Sequence, residues 1–297
     1  MNQLSVKLIV IYNPFSGRRK IKQLPQKILE ILKDSNFDIE IWPTEKASDV
    51  ILLTEKAIKE KASIVVAAGG DGTINQVASR LVNSGITLGI IPLGSGNGFA
   101  RHFNIPLKTE KAIEALQYCF TKEIDTVWLN RHCSINVAGV GFDAFISSKF
   151  AGVKERGLQG YAKTIIKNIR YKSRDYKVYK GSKLVWQGKA FMISIANATQ
   201  WGNNVMVNSA ALPDDGLMNV VIVKQFSLLH LPKLLSYILK GKLHLSPNSI
   251  IFNGTDFTIE RLTEGEAHVD GEPLWLGKEI NINIEPLSLR ILSNQPI

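Results

Sequence analysis

Residues 64–82 constrain this chain more than any other stretch. Ile64-Val65-Val66-Ala67-Ala68 reads as a buried strand, and it runs directly into Gly69-Gly70-Asp71-Gly72-Thr73. Ile74, Val77, Ala78, Leu81 and Val82 then recur at helical spacing, so a helix begins where the glycines end. Strand, glycine turn and helix together aim free backbone N–H groups and a helix N-terminus at an anion. Asp71 adds a carboxylate where a phosphate would lie, which repels phosphate unless a cation or a proton-transfer role compensates. The motif points to metal-assisted chemistry on a nucleotide more than to plain phosphate binding.

The rest of the first third alternates in the same way. Strands are expected over residues 7–12, 37–42 and 88–92, and helices are marked by Ile21, Leu24, Ile28, Ile31 and Leu32 and by Val50, Leu53, Ala57 and Ile58. Such alternation implies a parallel sheet with right-handed crossovers, whose ligands gather beyond the carboxyl ends of the strands. Asn13, Thr44, the 69–73 turn and Ser95 all lie just past strand ends, so they can converge on one crevice. The second glycine turn, Gly94-Ser95-Gly96-Asn97-Gly98, repeats the architecture one strand later. Neither turn is a Walker loop, since no Gly-Lys-Ser/Thr follows, and neither is a dinucleotide fingerprint.

After residue 125 strand-like runs follow one another, at 132–137, 176–179, 184–186, 191–196, 218–223, 250–252, 257–261 and 280–284. Gly181-Ser182 and Gly254-Thr255 read as hairpin turns, and helices are expected only around 161–171 and 228–239. This pattern is that of an antiparallel sandwich. The expected fold is therefore α/β: an N-terminal nucleotide-binding domain with a parallel sheet, residues 1–124, followed by a C-terminal antiparallel β-sandwich, residues 125–286. The last segment, 287–297, can return to the first domain or close the second.

The two cysteines, Cys119 and Cys133, are too few for a disulfide framework, which fits a reducing, cytoplasmic compartment. No apolar run approaches the length of a transmembrane helix, and 8–11 is too short for a secretory signal. Charge is uneven. From Lys149 to Lys189 twelve Lys or Arg face only Glu155 and Asp175, so this stretch equals the net +10 of the whole chain. Within it Leu158, Tyr161, Ile165 and Ile169 form an apolar stripe beside Lys163, Lys167, Arg170 and Arg174. That helix suits an anionic membrane surface; the blander alternative is a helix packed on its own domain with its lysines in water. Aromatic residues are not interleaved for single-strand binding, which argues against nucleic acid.

Three further motifs carry chemistry or plain turns. Asn13-Pro14-Phe15-Ser16-Gly17-Arg18-Arg19 offers donors and two cations after the first strand. Leu212-Pro213-Asp214-Asp215-Gly216-Leu217 has turn chemistry, and a carboxylate with neighbouring carbonyls there can also hold Mg²⁺ or Ca²⁺. His268-Val269-Asp270-Gly271-Glu272-Pro273 is an Asp-Gly turn by the bland reading; near a triphosphate either carboxylate can accept the proton of an attacking hydroxyl.

Taken together these motifs resemble the diacylglycerol kinase catalytic-domain family, in the form of bacterial lipid kinases and the related sphingosine and ceramide kinases. The resemblance rests on Asn13-Pro14, Gly69-Gly70-Asp71-Gly72-Thr73-Ile74-Asn75, Pro92-Leu93-Gly94-Ser95-Gly96-Asn97, Asn136-Val137-Ala138-Gly139-Val140-Gly141-Phe142-Asp143, Pro213-Asp214-Asp215-Gly216 and Asp270-Gly271-Glu272. It implies an ATP- and Mg²⁺-dependent kinase acting on a lipid hydroxyl. Asn13, Thr44, Gly69, Gly70, Asp71, Gly72, Thr73, Ile74, Asn75 and Ser95 would contact ATP. Leu212 and Leu217 would offer backbone oxygens, and Asp215 a carboxylate, to a structural Mg²⁺. Glu272 would accept the proton with Asp270 beside it, and Asp71 would work through the nucleotide's Mg²⁺; the base stays open between Asp71 and Glu272. The implied partners are a lipid substrate and an anionic membrane surface met peripherally through 149–189, with homodimer formation open. Gly-Gly-Asp-Gly is shared with NAD kinases, which leaves a soluble hydroxyl substrate as the rival. A non-catalytic nucleotide or lipid sensor is the other, because Gly98 stands where bacterial members commonly carry Asp.

Overall fold

The computed structural model describes residues 5–14, 21–151, 158–202 and 205–294. The chain divides into two compact units, Met1–Ile124 with Leu287–Ile297, and Asp125–Pro286.

The first unit alternates β1 (Val6–Tyr12), α1 (Leu24–Ile31), β2 (Phe37–Pro43), α2 (Asp49–Lys59), β3 (Ile64–Gly69), α3 (Asp71–Leu81) and β4 (Thr87–Pro92). Two short helices follow, α4 (Gly98–His102) and α5 (Thr109–Ala115). The strands pair in parallel in the order β4-β3-β1-β2. β3 and β4 are buried along their whole length because both faces are covered. On one face Leu24 and Ile28 of α1 and Ala112 and Ile113 of α5 pack on Leu8, Val10, Val66 and Ala68. On the other, α2 and α3 lie over β1 and β3. Pro25 stands in the first turn of α1, where its missing N–H costs nothing. The order of the strands reverses between β1 and β3, the place where an open α/β sheet leaves a crevice beyond its carboxyl ends.

The second unit is antiparallel. β5 (Phe120–Leu129) crosses into it and pairs with β6 (His132–Ser134); β7 (Val137–Gly141), α6 (Phe142–Ala151) and α7 (Leu158–Lys167) follow. Next come β8 (Arg174–Lys180), β9 (Lys183–Ala196), the small pair β10 (Gln200–Gly202) and β11 (Val205–Met206), β12 (Met218–Lys224), α8 (Leu231–Leu239), β13 (Ser249–Gly254), β14 (Asp256–Arg261), β15 (Gly265–Val269), β16 (Glu272–Leu276) and β17 (Glu279–Ser293). The long strand β9 serves two ladders. Its first half, Lys183–Ala190, pairs with β8, which continues to β14 and β17; its second half lies between β7 and β12. Between the ladders lies one core that includes Val178, Ile193, Val220, Phe257, Ile259 and Ile280. The reverse faces of β9 and β12 are covered too, by Phe142 and Ile146 of α6 and Leu234 of α8, so these strands read as unbroken apolar runs.

Several local expectations change. Gly181 has φ +54° and turns β8 into β9, as a hairpin glycine does. Gly254-Thr255 is no hairpin: β13 pairs with β12, whereas β14 pairs with β8 and β17. Among the described residues α6 is a further helix in this half, and β5, β10, β11, β15 and β16 are additional strands. The run at 132–137 is two strands, because the amides of Ile135 and Asn136 go to a carboxylate instead of a ladder. The final segment is the end of one long strand. β17 pairs with β14 through Glu279–Asn283, and its Arg290 and Ile291 pair in parallel with β4.

Candidate active site

In the first unit hydrogen bonds continue past the strand ends and set the candidate residues side by side. Asn13 N–H donates to Ala68 O (3.2 Å), Thr44 N–H to Tyr12 O (3.0 Å) and Leu93 N–H to Gly69 O (2.8 Å). The two glycine turns then meet backbone to backbone. A Cβ on Gly94 would stand 2.8 Å from Gly70 Cα, and one on Gly69 would run into the Thr73 side chain at 2.5 Å, so neither position has room for a larger residue. Gly70 caps α3 in extended conformation and Asp71 is the first helical residue. Asp71 Oδ2 accepts Asn97 N–H at 2.8 Å, and Asn97 Nδ2 donates to Gly94 O at 2.9 Å. Asn97 itself takes a left-handed conformation, φ +49°. Arg101 Nε closes the turn on Gly96 O (3.1 Å). Asp71 therefore braces the second glycine turn as well as opening α3. Ile74 and Asn75 are buried, Ser95 is exposed, and Thr44 is almost fully covered. Phe15, Ser16, Gly17, Arg18 and Arg19 lie outside the described residues.

In the second unit the Asp-Gly pair is a tight turn joining β15 to β16, with Val269 opposite Glu272. Asp270 and Gly271 have φ +49° and +87°, the two positive values that a type I′ turn requires. The Asp270 carboxylate faces inward and gathers four donors: Ser134 Oγ (2.6 Å) and the amides of Ile135, Asn136 and Val137 (3.0 Å each). Glu272 begins β16 and is exposed. The other end of the hairpin is held as firmly. Arg261 donates to the carbonyls of Gly265, Glu266, Leu276 and Gly277, and burial lowers its pKa below the usual guanidinium value. His268 stands next to the turn, its Nδ1 accepting Gly271 N–H and its Nε2 3.3 Å from Asp143 Oδ2.

The same network reaches the 212–217 turn. Asn136 O accepts the amides of Asn197 and Ala198. Asn197 Nδ2 donates to Asp125 O and Ile135 O. Asp125, fully buried, takes Gly216 N–H on Oδ2 (2.8 Å) and gives its own N–H to Pro213 O. Asp215 Oδ1 accepts Leu217 N–H (2.9 Å). Asp270 and the 212–217 turn thus belong to one hydrogen-bonded frame. Asp125 is the residue that reading the sequence passed over; a lone aspartate inside the apolar strand Ile124-Asp125-Thr126-Val127 was the available signal. Among the described residues no group of three or more His, Cys, Asp and Glu is placed to hold a metal ion. The 212–217 turn has a different donor set, the carboxylates of Asp214 and Asp215 and backbone oxygens, and its amides at 216 and 217 are already spent on the carboxylates of Asp125 and Asp215. Hard oxygen donors of this kind fit Mg²⁺.

The basic helix is α7. Ile165 and Ile169 pack on the core of their own unit, as the blander alternative holds; the side chains of Leu158 and Tyr161 lie outside the described residues. Among the described residues no helix is long and apolar enough to cross a membrane.

A parallel α/β unit with paired glycine turns, followed by an antiparallel sandwich with an Asp-Gly-Glu hairpin, defines a two-unit phosphotransferase without a Walker loop. Comparison with known proteins narrows the class. Residues 7–129 match the diacylglycerol kinase catalytic domain, and residues 136–293 match the YegS C-terminal NAD kinase beta sandwich-like domain. A protein named "Probable lipid kinase YegS" from Escherichia fergusonii is 30% identical over 98% of this chain and 96% of its own length. A "Diacylglycerol kinase" of Staphylococcus aureus is 29% identical over 89% of this chain and 85% of its own. The fold is also that of a diacylglycerol kinase structure from Bacillus anthracis, with a TM-score of 0.79 at 19% identity over 99% of this chain and 98% of that one. The chain belongs to the diacylglycerol kinase/YegS family of lipid kinases.

Proposed function

We propose that the enzyme transfers the γ-phosphate of ATP to the free hydroxyl of a diacylglycerol-like or sphingoid-type lipid, working peripherally on a cytoplasmic membrane surface. The name borne by the Staphylococcus relative favours an acylglycerol acceptor. Residues 1–124 would be the ATP-binding domain and 125–286 the lipid-substrate domain. The amides that open α3 and those of the 94–97 turn would receive the phosphates, with Asn13, Thr44 and Ser95 alongside. As the lipid oxygen bonds to the γ-phosphorus, the bond to the ADP oxygen breaks and the hydroxyl proton passes to Glu272. Asp71 would meet the nucleotide's Mg²⁺ while holding the Asn97 amide. The Asp215 carboxylate and the backbone oxygens of Leu212 and Leu217 would hold a second, structural Mg²⁺, which supplies rigidity and positive charge.

One observation carries the choice of base. Asp270 already accepts four donors, whereas Glu272, two residues on, is exposed at the start of its strand. On this reading Asp270 is a positioning residue. Incubation with labelled ATP and a mixed lipid extract tests the reading, with label expected in the organic phase and lost in Glu272→Gln. The NAD-kinase-like description of the second domain supports the rival, a soluble hydroxyl acceptor. Label on NAD would establish that rival, and nucleotide binding without transfer would indicate a sensor.

A further inference from the structure

Unit two carries an exposed apolar feature that the charge pattern of 149–189 does not reveal. Between Gly216 and Thr255 the chain has no Asp or Glu and has four lysines, Lys224, Lys233, Lys240 and Lys242. This segment holds a short 3₁₀ turn (Leu228–His230), α8 and another 3₁₀ turn (Leu243–Leu245). Leu234 and Leu243 are buried and anchor it to the unit. The opposite side is apolar where a solvated helix face would be polar. Leu228, Pro232, Leu235 and Leu239 follow at spacings of four, three and four, the stripe of one helical face, and all are exposed. Leu229 is 90% exposed and Leu239 69%, with Leu245 beyond them. Lys233 and Lys240, seven apart, flank the stripe and are exposed as well. Isolated surface leucines need no explanation, but a row of them marks a docking surface.

The row is continuous with the basic region. Leu228 lines a groove of about 410 Å³ together with Tyr171 and Phe226, and Arg170, Lys172 and Lys189 stand in the same lining. Apolar side chains rimmed by cations, with no carboxylate in the segment that presents them, match an anionic bilayer in both its acyl boundary and its phosphates. We propose that this face of α8 and its flanking turns docks on an anionic lipid bilayer. The leucines enter the boundary between headgroups and acyl chains, and Lys233, Lys240 and Arg170 sit over the phosphates. The proposal deepens the lipid-kinase reading and rests on it for its purpose, though binding can be measured without turnover.

The test is co-sedimentation of the full chain with phosphatidylcholine vesicles, with and without phosphatidylglycerol, at about 0.1 M and about 1 M salt. The wild type should sediment with the anionic vesicles and keep part of its binding at high salt. Leu229→Ser with Leu239→Ser should lose roughly ten-fold per leucine at either salt. Lys233→Ser with Lys240→Ser should lose several-fold per lysine, chiefly at low salt. Wild-type protein that ignores anionic vesicles, or a leucine variant that binds like wild type, would overturn the proposal. So would a wild-type dimer in sedimentation velocity that the leucine variant dissolves, which would assign the face to a second copy of the chain. Lipid phosphorylation in non-ionic detergent micelles separates the two claims. Failure there by a protein that still sediments with vesicles removes the lipid-kinase reading and leaves the docking surface standing.

Discussion

The glycine turns of the first unit and the β15–β16 hairpin of the second present polar groups in opposite ways. The first is built from main chain. Gly70 and Gly94 touch through their backbones, and side chains such as Asp71 and Asn97 serve to hold that main chain in place. The second is built from side chains. Asp270, Asn197 and Asp125 tie five chain segments together, and one carboxylate, Glu272, is exposed beside the turn. The difference follows the tasks assigned to them. A triphosphate is a uniform polyanion that amides at a helix start can receive whatever side chains surround them. A proton transfer requires one group of one type at one place, and so a frame that fixes it.

The largest expected effect is on turnover. Glu272→Gln should lower kcat by roughly 10²–10⁴-fold, with ATP binding and thermal midpoint unchanged; retained turnover would end the assignment of Glu272. Asp270→Ala strands three amides and a hydroxyl, and should cost about 3 kcal/mol in chemical denaturation along with most of the activity. If stability holds while activity falls, Asp270 acts chemically and the two carboxylates are not divided as argued. Gly94→Ala pushes a methyl onto Gly70, where no side chain can yield; about 2 kcal/mol and a roughly ten-fold rise in the KM for ATP are expected. Gly271→Ala sharpens the contrast. Nothing lies within 4 Å of its Cβ position, so only the positive φ is penalised, at about 1 kcal/mol. Ser95→Ala, at an exposed position, should raise the ATP KM by only a few-fold and leave stability alone, because in the proposed site the main chain would do the binding there.

The parallel unit was legible because its signals are local. β3 and β4 are apolar runs that lead into glycine turns, β2 alternates, and α1, α2 and α3 show their period, whereas the short α4 and α5 carry too few residues to show one. The sandwich was less so. α6 hides its period because Phe142, Ala144 and Ile146 are buried among apolar neighbours on several sides. β15 and β16 mix Glu266, His268 and Pro273 into their pattern, and only their turn was visible in advance. Gly254-Thr255 looks like a hairpin because turn chemistry reports a change of direction but not the strand that waits on the far side. The Asp270 frame could not be seen at all. Its four donors come from residues more than 130 positions earlier, and two of them, Ile135 and Asn136, interrupt a run that periodicity joins into one strand.

Arg261 gives the hairpin a mechanical character. Its guanidinium binds four carbonyls at the base while Asp270 binds four donors at the tip. A beam fixed at both ends cannot swing, and it cannot fray as a unit of its own. Amide exchange in β15 should therefore occur only with opening of the whole sandwich. The exposed carboxylate beside its turn inherits the full stability of that unit, and any motion that completes a reaction must belong to what approaches it.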